Sequence, residues 1–107
     1  MLVAFSVAPS GSAPSGSAGS ADASVHDAVA AAVKVVRDSG LPNQTDSMFT
    51  TIEGEWDDVM DVVKRATEAV GQFGSRVSLV LKADIRPGHS GELTGKLERL
   101  ERALDRI

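Results

Sequence analysis

Apolar positions along the chain change rhythm several times, and each change marks an element. Leu2 to Ala8 alternates, with Val3, Phe5 and Val7 on one side and Leu2, Ala4, Ser6 and Ala8 on the other, the period-two pattern of a strand. Both sides are mostly apolar or small, which suits a central strand covered at least partly on both faces. Pro9 is expected to end it. Val25, Val29, Ala32, Val33 and Val36 then recur at helical spacing, with Ser24 as the expected N-cap, Asp27 three residues on, and Gly40 followed by Pro42 as the stop.

Asn43 to Ser47 is short and polar, the profile of an edge strand. Met48 to Ile52 reads as the next strand, broken at Glu53-Gly54, after which Trp56, Val59, Met60, Val63, Ala66, Val70 and Phe73 return to helical spacing. Glu55, Asp57 and Asp58 fall in the first turn of that helix, where carboxylates favour the exposed N–H groups. Arg76 to Arg86 alternates again and stops at Pro87-Gly88. A last helix is expected from Thr94 as cap, with Leu93, Leu97, Leu100, Leu104 and Ile107 on one stripe and Glu98, Arg99, Glu101 and Arg102 on the wet side.

The order is β, α, β, β, α, β with an added helix. Two right-handed crossovers joined by a hairpin predict an α+β fold, the ferredoxin-like βαββαβ sandwich, with a four-stranded antiparallel sheet, helices on one face and a C-terminal helix besides. Residues 1–107 form a single domain in this reading. The Ser/Gly/Ala run from about 10 to 23 has too little apolar bulk to pack and reads as a flexible loop. Ser10, Gly11 and Ser12 could alternatively close over a ligand at the end of the first strand.

Composition narrows the function classes. The chain has 42% hydrophobic and 24% charged residues and a formal charge of -4. Its only basic run is the pair Lys64-Arg65, so the clustered positive field that nucleic acid demands is absent. There is no cysteine, which excludes disulfides and thiolate chemistry and suits the cytoplasm. The opening MLVAFSVAP lacks a basic leader region, and no run approaches the roughly 20 apolar residues of a membrane span. His26 and His89 have no companions that would make a metal site.

If Val3, Phe5 and Val7 face the helices, the other sheet face carries Leu2, Ala4, Ser6, Ala8, Phe49, Thr51, Glu53, Ser78, Val80, Lys82 and Asp84. That face is too apolar to be left in water and too polar for a plain core. A second copy of the chain is the simplest cover, and a groove between copies would suit a small molecule. No catalytic constellation stands out. A GxSxG elbow is missing, GSAPSG has neither the spacing nor the ending of a phosphate-binding loop, and Asp57-Asp58 is explained by helix electrostatics.

Several segments carry a resemblance: VAFSVAPSG at 3–11, AVKVVRDSGL at 32–41, MFTTIEGEWDDVMDVVKRATEAV at 48–70, VLKADIR at 80–86 and LTGKLERLERAL at 93–104. On these the chain resembles the small thiamine-binding domain family, once classed as a domain of unknown function. The resemblance implies a ferredoxin-like fold, dimers or tetramers, no catalytic activity, and binding of thiamine or its hydroxymethylpyrimidine part; no cofactor is expected besides that ligand. Two positions depart from the family pattern, which usually has a small residue where Phe49 stands and a second acidic residue where Ile85 stands.

An aminopyrimidine seeks a carboxylate or hydroxyl partner and the thiazolium is a cation. The expected ligand set is therefore Glu53 and Asp84 on the pyrimidine, Ser6, Ser12 and Thr50 as hydroxyl contacts, and Lys82 and Arg86 orienting the carboxylates or meeting a phosphate. Thr50 enters from the family motif, because face counting points it inward. Phe49 could stack on a ring. Two other readings remain open: a structural or interaction module whose bare sheet face only oligomerises or docks a partner, and an enzyme acting on a pyrimidine through its carboxylates.

Overall fold

The computed structural model describes residues 1–12 and 21–107, with side chains in the second stretch from Val25 onward. Its elements are β1 (Leu2–Ser10), α1 (Ala21–Asp38), β2 (Asn43–Thr45), β3 (Thr50–Glu53), α2 (Trp56–Val70), β4 (Arg76–Asp84) and α3 (Glu92–Leu104). The strands form one sheet in the order β2-β3-β1-β4 with every neighbouring pair antiparallel, the ferredoxin-like arrangement that the alternation of periods predicts. Among the described residues no helix is long and apolar enough to cross a membrane.

Val3, Phe5 and Val7 of β1 and Ile52 of β3 point to one face, where α1 supplies Ala28, Ala32 and Val36 and α2 supplies Val59, Val62, Val63, Ala66 and Val70. Small side chains dominate the α1 contribution and let that helix lie close to the sheet. Burying each valine or isoleucine here stabilises the fold by roughly 1.5–3 kcal/mol. Gly40 adopts a positive φ of 78° just beyond α1, as expected of a residue that stops a helix.

Besides small shifts at the strand ends, with β2 ending at Thr45, β3 running Thr50–Glu53 rather than Met48–Ile52 and β4 ending at Asp84, four features differ from the sequence reading. First, β1 does not end at Pro9 but runs through it, Pro9 pairing with Val77. Beyond Phe5 the strand has β4 on one side and, among the described residues, no strand on the other, so a residue without an N–H costs no ladder bond there. Second, α1 begins at Ala21, ahead of Ser24, so Ser24 lies inside the helix rather than at its cap. Its side chain and residues 13–20 of the expected loop fall outside the described residues. Third, Trp56 is not a core residue, being 53% exposed at the start of α2.

Fourth, α3 starts at Glu92 and not at a Thr94 cap, with Gly91 ahead of it in the left-handed conformation at φ 70°. Its first N–H groups are met from elsewhere in the chain. Glu53 Oε2 accepts from the Glu92 amide at 2.7 Å and Oε1 from the Leu93 amide at 3.2 Å. Glu53 is 7% exposed, and a buried carboxylate is tolerated when N–H donors and a helix's positive end take over from water. Lys96 of the same helix donates to Asp84 at 2.9 Å. Glu53 and Asp84 both stand opposite Leu2 in the register, so α3 is tied to the sheet face that α1 and α2 leave free.

Replacing Glu53 by alanine is expected to lower stability by about 1–3 kcal/mol, because two helix amides lose a buried charged acceptor. Hydrogen exchange should read the loss as faster exchange at Glu92 and Leu93, with the α2 core amides close to their original protection relative to global unfolding.

Candidate functional site

The unequal lengths of β1 and β3 open a cleft. β3 pairs with β1 only from Leu2 to Phe5, while β4 follows β1 along all nine residues. Past Thr50 the hairpin turns away through Phe49, Met48 and Ser47 into β2, and α1 passes over the gap. The result is a cavity of about 240 Å³ bounded by Phe5 to Ala8 of β1, Val25, Val29, Ala32 and Val33 of α1, and Thr45 to Thr50 of the hairpin. Its walls are mainly apolar. Among the described residues Ser6 to Ala8 also present a strand edge with no strand beside it, and such an edge offers backbone N–H and C=O groups to whatever enters.

Polar side chains converge at the hairpin side. Thr45 and Thr50 sit opposite each other across β2 and β3, and their hydroxyls lie 3.1 Å apart in a hydrogen bond. Asp46 Oδ1 accepts from the amides of Met48 at 2.8 Å and Phe49 at 2.9 Å, while the Asp46 amide donates to the Phe49 carbonyl at 2.9 Å. These bonds fix the carboxylate at the cleft wall. The Met48 and Phe49 amides hold the Asp46 carboxyl below its ordinary range, since they favour the charged form. The arrangement can accept hydrogen bonds or a positive charge from a flat molecule held against Phe5 and Val29.

The seven residues expected to form one site are divided among several places. Ser6 and Thr50 line this cleft. Thr50 does face the helices and is buried, and it still lines the cleft because the cleft opens on the helix-covered side at the sheet's edge. Ser12 is exposed just beyond β1 and is not among the lining residues. Glu53 is occupied with the start of α3. Asp84 is paired with Lys96, whose hydrogen bond and charge lower its carboxyl, with Lys82 and Arg86 adding smaller effects at a distance. Lys82 is exposed on the free face. Arg86 borders a second, smaller cavity of about 170 Å³ with Met1, Glu55, Trp56, Ile85, Pro87, Gly88 and His89.

Sequence reasoning missed Thr45, Asp46 and the α1 wall. The short polar segment before Met48 was legible as an edge strand and a turn, and an aspartate at such a turn commonly bonds backbone amides two and three residues on. What could not be read was that β1 outruns β3 and leaves a space beside that turn. Phe49, where the family pattern usually has a small residue, is one of the residues lining the cleft.

Comparison with known proteins agrees with the fold. A family model described as thiamine-binding protein matches residues 3–101. A UPF0045 protein of Mycobacterium bovis is 50% identical over 105 residues, covering 97% of this chain and 94% of its own. Among solved structures, a domain of unknown function from Bacillus cereus is 33% identical with a TM-score of 0.68, over 86% of this chain and 83% of that one. A Thermotoga maritima protein described as a candidate for thiamine biosynthesis or salvage is 26% identical with a TM-score of 0.69, over 91% of this chain and 96% of that one. With the family model spanning nearly the whole sheet and its helices, the chain belongs to the thiamine-binding protein family.

Proposed function

We propose that this protein binds thiamine or its hydroxymethylpyrimidine part in the cleft between α1 and the β2–β3 hairpin, and performs no reaction on it. The observation that carries this reading is the unpartnered edge of β1 from Ser6 to Ala8 inside an otherwise apolar cavity. An aminopyrimidine presents alternating donors and acceptors along one side, which is what a free strand edge and a pair of threonine hydroxyls can match. Asp46 supplies the negative charge that a thiazolium or an exocyclic amine attracts, and Phe5 and Phe49 offer aromatic surface. The cavity's volume is slightly below the usual range for ligand sites of about 300–1,000 Å³. A small ring therefore fits more readily than a long phosphorylated species.

The same reading includes a second copy of the chain over the free sheet face. Leu97, Leu100 and Leu104 of α3 are 51%, 53% and 50% exposed and Val80 of β4 is 56% exposed, so the stripe that the sequence presents as apolar has no cover among the described residues. A homodimer or homotetramer buries it, and the ligand cleft lies on the other side of the sheet edge. Binding and assembly are then separate properties of one fold.

Calorimetric titration with thiamine into the millimolar range should give saturable heat. Asp46→Asn keeps an acceptor for the Met48 and Phe49 amides but removes the charge, and should weaken binding about tenfold. Phe49→Gly should enlarge the cleft and tighten binding by a roughly similar factor. A flat trace with both the wild type and Phe49→Gly rejects this ligand.

A carbon-detected NMR titration should place the Asp46 carboxyl midpoint below the ordinary aspartate range. A folded-state value below the unfolded one stabilises the hairpin turn above the unfolded value, and that contribution disappears as pH falls through the folded value. Light scattering should give a mass of two or four chains for the wild type and a smaller assembly for Leu100→Asp; a wild-type monomer at micromolar concentration removes the assembly from the proposal.

A further inference from the structure

The second cavity has a chemistry of its own. It sits at the opposite end of β3 from the first, between the start of α2 and the loop that joins β4 to α3. Two large apolar side chains border it without being buried, Trp56 at 53% exposure and Ile85 at 57%. The cation Arg86 and the imidazole of His89 border the same cavity. A half-exposed indole beside an exposed isoleucine forgoes a large part of its hydrophobic stabilisation, and an adjacent guanidinium adds a directional, always-charged donor.

The neighbouring charges are already committed, and this leaves Arg86 without an ion-pair partner among the described residues. Asp84 is paired with Lys96, Glu92 with Arg99, and Glu53 accepts from the α3 amides. Arg86 is close enough to Asp84 and Glu92 to add to the lowering of both carboxyls, yet among the described residues it forms no ion pair. Glu55 is the one acid bordering the cavity, and it neither pairs with Arg86 nor caps α2 with its side chain. Asp57 and Asp58 in the first turn of α2 add further negative charge on the Trp56 side. A ligand here must therefore turn its anionic group toward the β4–α3 loop and its uncharged part toward α2.

We propose that this cavity is a second binding site, for a small aromatic ring carrying a single carboxylate or phosphate monoester: the ring lies between Trp56 and Ile85, and the anionic group is held by Arg86 and His89. A planar fork on a carboxylate or phosphate makes the strong, two-pronged contact that arginine favours, and the indole face receives the ring. The site is independent of the thiamine cleft, which contains neither residue.

Trp56 is the only tryptophan and the chain has no tyrosine, so emission excited at the red edge reports on this cavity alone. Phenyl phosphate and benzoate, titrated separately to roughly 10 mM, should each give or withhold a saturable change and so tell a phosphate ligand from a carboxylate one. At least one is expected to saturate, and Arg86→Gln should weaken it about tenfold while circular dichroism stays unchanged. Arg86→Lys should restore part of the affinity. The proposal fails if neither probe saturates, if inorganic phosphate binds as well as phenyl phosphate, if benzyltrimethylammonium gives the stronger response, or if Arg86→Gln binds like the wild type. Thiamine titration of the same Arg86→Gln protein should match the wild type, since Arg86 does not line the first cleft, and this keeps failure at the two sites distinguishable.

Discussion

The molecule's working geometry depends on a mismatch in strand length. β1 and β4 are bonded along nine residues, and β3 accompanies β1 for four. A sheet whose central strand is fully flanked offers no backbone groups to a ligand, because each N–H and C=O is taken up by the ladder. Here half of the central strand is free on one side. That freedom lets Pro9 sit within a strand, brings the hairpin turn at Asp46 opposite α1, and leaves a cavity with apolar walls and a polar edge. The hairpin turn and the cavity would be lost if β3 continued through Met48 alongside β1, because Met48 would then stand opposite Val7.

A second constraint acts at the other end of β3. Glu53, adjacent to the buried Ile52, reaches the first turn of α3 nearly forty residues later in the chain. The carboxylate thus ties the helix to the sheet, on the free face where the sequence placed it. The helix it secures has no buried residue of its own. α3 is held to its protomer by polar bonds at its start and at Lys96, while its leucines face outward. Such a helix is positioned before any partner arrives, which reduces what association must order.

Periodicity made the architecture readable. The switch from alternation to helical spacing at Gly54, the helix stop at Gly40 and the second alternation from Arg76 are local signals, and all seven elements follow from them. The errors have a common cause in contacts distant along the chain. Thr94 looked like a cap because the true acceptor, Glu53, belongs to another strand. Pro9 looked like a terminator because nothing local says that one edge of β1 is unpaired. Trp56 fits the apolar stripe of α2 by spacing, yet the stripe rotates it past the edge of the sheet. The candidate ligand residues were scattered for the same reason: alternation fixes which face a side chain takes, and says nothing of where along that face a neighbouring strand ends.

β4 forms one border of the sheet over nine residues, and the opposite border, β2, has only three. A long border with open backbone groups is a template on which other chains can add in register, the first step toward fibrous aggregates. Arg76, Lys82 and Asp84 place charges along that border at positions turned away from the core. Colloidal stability in a chain of modest net charge therefore rests on a few side chains at a perimeter, and apolar replacements there would threaten solubility before they threatened folding.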